Sequence, residues 1–333
     1  MALTLRLLIF MGLFLRLEPL FAKSNLTVYT YQAFNSGWGP GSELKKLFEQ
    51  KCGCTLKFVS AGDGATLIGK LKLEGRSSRA DVVLGVDNSV VLDAIESDLF
   101  LPLVASKAPL QVPIPDKIRL HAVPFDFGMI TVMYDSLKIA NPPKSLDDLL
   151  ERAEFKKKLI LQDPRFSAPG LSFLGFLSST YGARLPEKLK LLRNQTLMVT
   201  PGWSEAYSLF TKGEAPLVVS YTTSEFYHRI VDKSSRYKAA IFPEHSINVE
   251  FAGIVKTTKN KALATAFVDF LLIPEAQKII SQANWMYPII PESEIKDLNP
   301  IFYTSTKPKL KELSFLTTTD RKKLNDIWLG EFR

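Results

Sequence analysis

Soft metal ligands are scarce in this 333-residue chain, which has two cysteines and three histidines. A structural zinc site needs about four such side chains close together, and His121, His228 and His245 are far apart in the sequence. We therefore predict no metal site. Cys52 and Cys54 are two positions apart, and the sequence leaves open whether they form a short disulfide or stay two free thiols.

The motifs of common catalytic and cofactor sites are also missing. The chain has no Gly-x-Ser-x-Gly nucleophile elbow, no Gly-x-x-x-x-Gly-Lys-Ser/Thr phosphate loop and no Gly-x-Gly-x-x-Gly dinucleotide fingerprint. Ser235 and Lys238 match a Ser-x-x-Lys pattern, but in a polar stretch without its companion motifs. These absences predict a protein that is not an enzyme, with no catalytic residue and no cofactor.

An apolar run near the N-terminus, residues 7–15, is too short for a membrane-spanning helix. Arg6 precedes this run and Ala22 follows it, as in secretory signal peptides, although Arg16 and Glu18 interrupt the approach to Ala22. A retained anchor is the alternative. We predict a signal peptide over residues 1–22, cleaved near Ala22, and hence an exported protein.

Basic residues outnumber acidic ones, with 42 Lys and Arg against 34 Asp and Glu. The surplus persists without residues 1–22, which contain two of the basic residues and one of the acidic residues. The densest basic groups, residues 156–158 and 307–311, have no interleaved aromatic rings that could stack on bases. We therefore predict that these groups are solvated and that the protein has no nucleic-acid partner.

Buried strands alternate with helices along the chain. Apolar runs at residues 80–88, 159–165 and 213–224 each end in polar residues, and a helical pattern follows each of them. This alternation predicts an α/β fold with mainly parallel sheets. A chain of this length with 46% hydrophobic residues is large enough for two domains.

Two longer extended segments, residues 123–135 and 246–255, divide this pattern. The first exceeds the usual length of a strand, so it can pass from one domain to another, and the second can return. We predict two lobes, each a mainly parallel sheet flanked by helices, joined by two hinge crossings over a cleft that closes on a ligand. Lobe 1 would contain residues 23–125 and 250–300, and lobe 2 residues 126–249 and 301–333.

Acidic and aromatic residues follow the predicted strands, at the sheet edge where α/β proteins bind ligands. Asp63 stands in a Gly-Asp-Gly turn before a helix, and Asp87 ends a strand. Ring faces attract cations and stack on heteroaromatic rings, so these residues predict a pocket for a cationic, planar ligand. The aromatic residues near strand ends are Tyr29, Tyr31, Phe34, Trp38, Trp203, Tyr207, Tyr221, Trp285 and Tyr287.

A second group of residues can bind an anion. Ser167 precedes a helical pattern that has Pro169 in its first turn. A helix N-terminus of this kind can bind phosphate, or the serine can serve only as an N-cap. Thr222, Thr223 and Ser224 follow a buried strand and can add hydroxyl donors to the same anion.

These features resemble the periplasmic thiamine-binding proteins of bacterial ABC importers, a type II solute-binding protein family. The resemblance extends over essentially the whole chain after residue 22, and several of the matching stretches are long and spaced as in that family. The matching stretches are residues 26–31, 38–41, 52–54, 80–85, 162–165, 202–207, 220–224 and 284–288.

The resemblance implies a bilobed type II fold in the periplasm, a monomer that captures thiamine and its mono- and diphosphate esters and delivers them to a membrane-embedded ABC permease. By motif match, the ligand contacts would be Asp63, Gly64, Ser167, Ala168, Trp203, Tyr221, Thr222, Thr223 and Ser224. The position of aromatic residues at strand ends adds Tyr31, Trp38 and Tyr287 to the predicted site.

Two other functions remain open from the sequence. Acidic and aromatic groups in the same lobes could bind a polyamine or another cationic solute. An exported enzyme that degrades thiamine would need an activated nucleophile, commonly a cysteine. Cys52 and Cys54 are the only candidates, and both precede the predicted second strand, away from the ligand-binding edge.

Overall fold

The structure, a computed structural model, describes residues 24–304, 311 and 313–332 and leaves the side chains of residues 303 and 304 undescribed. The predicted signal peptide lies outside the described residues. The strands are β1 (Asn25–Thr30), β2 (Thr55–Ser60), β3 (Val82–Asp87), β4 (Val123–Asp135), β5 (Leu159–Gln162), β6 (Thr196–Thr200), β7 (Leu217–Tyr221), β8 (Tyr237–Ala239), β9 (Ile247–Ile254) and β10 (Tyr287–Pro288). The helices are α1 (Gly41–Cys52), α2 (Gly64–Glu74), α3 (Val91–Glu96), α4 (Asp116–Arg119), α5 (Leu146–Glu151), α6 (Ala168–Tyr181), α7 (Leu185–Gln195), α8 (Trp203–Thr211), α9 (Ser224–Ile230), α10 (Lys261–Phe270), α11 (Pro274–Asn284), α12 (Ile301–Thr304) and α13 (Thr318–Glu331).

The strands join in the order β2-β1-β3-β9-β4-β7-β5-β6, and β8 and β10 pair with β4. The three strands at each end are parallel to one another, which confirms the predicted α/β fold. The central pairs β3–β9, β9–β4 and β4–β7 are antiparallel, which the prediction of mainly parallel sheets did not include. Strand β4 leads from the group β2-β1-β3 to the group β7-β5-β6, and β9 leads back. These two connecting strands therefore pair in antiparallel fashion.

Strand β4 has the bounds predicted for the first long extended segment. Its sequence is apolar on both faces, and nearly every residue is buried, as in a strand covered on both sides. Phe125, Phe127 and Met129 pack in one hydrophobic core, whereas Ile130 and Val132 pack in another. The strand therefore changes cores between Met129 and Ile130.

The polar residues that precede α5 and α10 make different hydrogen bonds. The Ser145 hydroxyl accepts a hydrogen bond from the Asp148 backbone N–H at 3.0 Å and so caps α5. Asn260 directly precedes α10, but its side chain does not cap the helix. Instead its Nδ2 donates to the Asn25 carbonyl at the start of β1 and to Asp81 just before β3, each at 3.1 Å.

The C-terminal helix α13 contacts elements of both cores. Leu324 and Trp328 pack in the second core, with α6 and α7. At its N-terminus, Thr318 and Arg321 bond to Asp93 on α3, at 2.8 and 2.5 Å. The sequence interpretation had given residues 301–333 to lobe 2 alone.

Cys52 and Cys54 form a disulfide at the start of β2. Both residues are buried in the first core, at the end of the strand opposite to its carboxyl edge. The structure thus decides between the two possibilities that the sequence left open. Among the described residues, no helix has the length and apolar character needed to cross a bilayer.

Candidate functional site

A cavity of about 630 Å³ lies at the carboxyl ends of the strands. Residues from both ends of the sheet line it, among them Tyr31 after β1, Gly85 in β3, Tyr221 at the end of β7 and Glu250 in β9. This is the edge at which α/β sheets commonly bind ligands, and the volume suits a small organic molecule.

Three helices point their N-termini at the cavity. Gly64, Ala168 and Trp203 are the first residues of α2, α6 and α8, and all three line it. A Cβ atom on Gly64 would lie 3.5 Å from the Ala168 side chain, so α2 and α6 begin in contact. Backbone N–H groups at helix N-termini are unpaired within the helix and favour negative charge.

The side chain of Asp63, the residue before α2, lies at the N-terminus of α8. Its Oδ2 atom accepts from the Trp203 backbone N–H at 3.4 Å. Burial raises the pKa of Asp63, while the Trp203 N–H and the Ser167 hydroxyl lower it. A carboxylate thus stands where a ligand anion would meet the start of α8.

Aromatic rings form one wall of the cavity. Trp203 and Tyr207 are one turn apart on α8 and stack with centroids 4.7 Å apart at 22°. Tyr207 stacks in turn on His228, and Trp38 faces Trp203 at 6.5 Å. Trp203 Nε1 donates to Ser220 Oγ at 2.8 Å, which fixes the plane of the indole. Such a wall offers ring faces to a flat or cationic ligand.

A hydrogen-bonded chain of three lining residues belongs to this wall. Tyr207 Oη and His228 Nε2 are 2.8 Å apart, and His228 Nδ1 lies 2.7 Å from Asp232 Oδ2. Burial lowers the pKa of His228 although Asp232 opposes this effect. The imidazole is therefore neutral at neutral pH, and it adds no positive charge to the cavity.

Glu250 lines the cavity, and Asp87 and Asp126 are fully buried beside it; we call these three residues the acidic wall. Glu250 on β9 is the register partner of Asp87 on β3 and of Asp126 on β4, so three acidic residues form one row across three strands. Burial raises the pKa of Asp87 to about 6 and raises the pKa of Asp126 and of Glu250 as well. Among the described residues that line the cavity, Asp63, Asp232 and Glu250 are acidic and none is Lys or Arg.

Tyr31 connects the aromatic residues to the acidic wall. Its hydroxyl donates to Glu250 Oε2 at 2.7 Å and accepts from Asn284 Nδ2 at 2.8 Å. The ring lies over Gly85, where a Cβ atom would be 2.2 Å from Tyr31 Cδ1. Glycine at this position is thus a requirement of the ring's placement.

The structure brings most of the predicted site residues to this cavity. Asp63, Gly64, Ala168, Trp203, Tyr221, Ser224, Tyr31 and Trp38 line it. Ser167, Thr222 and Thr223 are buried, and each is next in sequence to a lining residue. The hydroxyl oxygens of Thr222 and Thr223 have no hydrogen-bond partner among the described residues. Whether these residues contact a ligand stays a prediction.

Tyr287, which the sequence analysis added to the predicted site, lies outside the cavity lining. It forms the short strand β10 against β4, and its ring stacks on Phe127 at 5.3 Å and meets Phe226 and Phe302 edge-on. It is 2% exposed and is not among the residues that line the cavity. An aromatic residue near a strand end can equally face the core, and here pairing with β4 turns the ring inward.

Sequence reasoning missed several residues of the cavity. Glu250 and Asn284 do not stand at a strand end in the sequence, and only the pairing of β9 with β3 and β4 brings Glu250 to the wall. Tyr227, His228 and Asp232 lie on or just after α9, which the sequence analysis did not delimit.

Comparison with known proteins identifies the family. A thiamine-binding periplasmic protein of Brucella melitensis is 41% identical over 312 residues, which cover 93% of this chain and 92% of that protein. Another from Salmonella typhimurium is 45% identical over 272 residues, covering 81% and 83%. A solved periplasmic thiamin binding protein is 39% identical, with a TM-score of 0.85 over 93% of this chain and 96% of its own. The family model of bacterial extracellular solute-binding proteins matches residues 35–278, and the chain belongs to that family.

Proposed function

We propose that this protein captures thiamine in the periplasm and delivers it to an ABC permease. The observation that carries the proposal is the cavity itself, which has an aromatic wall and an acidic wall and no Lys or Arg among its described lining residues. Thiamine has a cationic thiazolium ring and a flat aminopyrimidine ring, which match these two walls. The thiamine-binding relatives support the same ligand.

The phosphate esters of thiamine are a second part of the proposal. Their phosphate would lie at the N-termini of α2, α6 and α8, where Gly64, Ala168 and Trp203 offer backbone N–H groups. Thr222 and Thr223, whose hydroxyls are unpaired among the described residues, directly follow Tyr221 of the lining. Asp63 opposes this binding by its charge, so we expect unphosphorylated thiamine to bind at least as tightly as the diphosphate.

Delivery depends on two lobes that close. We propose the division predicted above, with lobe 1 formed by residues 23–125 and 250–300, and lobe 2 by residues 126–249 and 301–333. Separate hydrophobic cores and the passage of β4 between them support it. Thiamine would bind the closed form more tightly than the open form, and the closed monomer would dock on the permease.

Calorimetric titration of residues 23–333 with thiamine, thiamine diphosphate and spermidine tests the ligand. We expect one thiamine per chain, with unchanged thiamine recovered afterwards. Binding of spermidine without thiamine would favour the polyamine alternative, since an acidic cavity also suits a polyamine. Absence of binding to all three would contradict the proposal.

The thiamine-degrading alternative has a direct test as well. Its only candidate nucleophiles are joined in the Cys52–Cys54 disulfide, away from the cavity lining. The double variant with serine at both positions should bind thiamine as the native chain does. Thiamine breakdown by the native chain, lost in this variant, would contradict the proposal.

A further inference from the structure

Two carboxyl groups form a buried pair at the acidic wall. Asp126 on β4 and Glu250 on β9 are register partners on neighbouring antiparallel strands. Asp126 is fully buried, and Glu250 is 8% exposed where it lines the cavity. Facing residues on neighbouring antiparallel strands have Cβ atoms about 4.5–5.5 Å apart, so the two side chains lie side by side. Two carboxyl groups this close in a buried site do not both stay ionised, because like charges repel strongly there.

The surrounding hydrogen bonds leave a place for one shared proton. Tyr31 donates to Glu250 Oε2 at 2.7 Å, and Asn284 Nδ2 donates to Asp126 Oδ2 at 2.8 Å. Asp126 Oδ1 is buried and has no donor among the described residues. A proton held between this oxygen and Glu250 would satisfy both carboxyl groups, as in other carboxyl pairs that share one proton.

Among the described residues that line the cavity, no Lys or Arg replaces that proton. Besides Asp126, the charges that raise the pKa of Glu250 are those of Asp87 on β3 and Asp63 before α2, and both groups are acidic. Burial raises the pKa of Glu250 well above its usual value, and the charges of these carboxylates raise it further. His228 lines the same cavity, but burial lowers its pKa and keeps it neutral.

We propose that the Asp126–Glu250 pair selects for a cationic ligand by exchanging its shared proton for the ligand's positive charge. The inference rests on the proposed function, because it needs a cation in this cavity. When the cation binds at Glu250, the carboxyl O–H bond breaks, its electron pair stays on the carboxylate, and the proton passes to water or buffer. The charge of the site is conserved, and a neutral ligand of the same shape would displace no proton.

The exchange makes affinity depend on pH with a definite sign. The ionised pair binds a cation better than the protonated pair does, so affinity is highest above the pKa of the pair in the free protein. It decreases as the pH falls through that pKa. The number of protons released on binding approaches about one where the pair is protonated before binding.

Calorimetry of the mature chain with thiamine, in buffers that differ in ionisation heat from about pH 6 to about pH 8, counts the released protons. We expect up to about one proton per thiamine, and affinity that rises with pH. Glu250→Gln should abolish the release and weaken thiamine binding about tenfold. Asp126→Asn should remove the pH dependence of thiamine affinity over this range, because the new amide can donate to Glu250 and favours its ionised form.

A matched control comes from Asp269 on α10, a carboxyl whose pKa burial also raises and which lies outside the cavity lining. Asp269→Asn should release protons as the native chain does. Thiamine binding without proton release in the native chain would overturn the inference and leave the proposed function intact.

If thiamine does not bind at all, the proposed function fails, and the free protein still tests the shared proton. A difference titration between native chain and Glu250→Gln should then show a group that ionises well above the usual range of a carboxyl. A difference of zero would overturn the inference. Urea unfolding of each variant identifies any variant that does not fold.

Discussion

At the scale of single residues, Gly85 joins backbone conformation to the shape of the cavity. It has a φ of +96°, in the region that favours glycine, and it sits at the irregularity in the β3–β9 pairing between Leu84 and Val86. Gly85→Ala would place a methyl group on the Tyr31 ring as well as strain the backbone. We expect a loss of about 1–3 kcal/mol in unfolding free energy and weaker thiamine binding, measured by urea unfolding and calorimetry.

Gly69 is the matched control for this substitution. It lies within α2, and a Cβ atom on it would meet nothing within 4 Å beyond its own helix backbone, so alanine fits there. Gly69→Ala should stabilise the chain by about 0.5–1 kcal/mol, because alanine is the better helix former. A Gly85→Ala variant as stable as the native chain would mean that the Tyr31 ring has another favourable position.

At the scale of elements, His245 links β4 to the segment before β9. Its Nε2 accepts from the Phe242 backbone N–H at 2.9 Å, so its Nδ1 carries the proton and donates to the Ile130 carbonyl at 2.9 Å. Burial lowers the pKa of this fully buried histidine below 6.5. The unfolded chain therefore takes up the proton first, and stability present above about pH 6.5 is lost as the pH falls.

We expect the unfolding free energy of the native chain to decrease on acidification, by about 1.4 kcal/mol for each unit by which the His245 pKa is lowered. His245→Gln should be less stable at neutral pH and should show a smaller decrease. His121→Gln is the control, since His121 is partly exposed and bonds only locally to the Lys117 carbonyl. Equal decreases in native chain and His245→Gln would assign the pH dependence to other groups.

The docking of α13 depends on a buried carboxylate. Asp93 on α3 is 1% exposed and bonds to Lys72, Thr318 and Arg321. Burial alone would raise the pKa of Asp93, but these partners hold it below its usual value. Arg321→Ala should lower the unfolding free energy by about 1–3 kcal/mol, because Lys72 would then be the remaining cation paired with the buried Asp93 carboxylate. Lys322→Ala, on the exposed side of α13, should change it by less than about 0.5 kcal/mol.

At the scale of the whole molecule, the sequence predicts elements better than contacts between them. The apolar run of β4 is long and uninterrupted, so its bounds were predictable. The acidic wall was not, because the row from Asp87 through Glu250 to Asp126 arises from register between strands far apart in sequence. Tyr287 was misplaced for the same reason, since pairing with β4 decides which way its ring points.

Two hydrogen bonds connect the two sides of the cavity at its helix N-termini. Thr66 Oγ1 on α2 donates to the Phe166 carbonyl at 3.3 Å, and Trp203 N donates to Asp63 at 3.4 Å. Both bonds are long and partly exposed, so they contribute little to a closed state by themselves. A bound ligand that contacts both sides of the cavity would add to the free energy of closure.

We expect small-angle X-ray scattering to show this closure. A compact chain of residues 23–333 has a radius of gyration of roughly 19 Å, and the ligand-free protein should exceed that value until thiamine lowers it. Tyr221→Ala removes a cavity ring, should weaken binding more than about threefold, and should need correspondingly more thiamine for the same decrease. Equal radii with and without saturating thiamine would mean that the cavity forms before the ligand arrives, and that recognition by the permease has another basis than lobe closure.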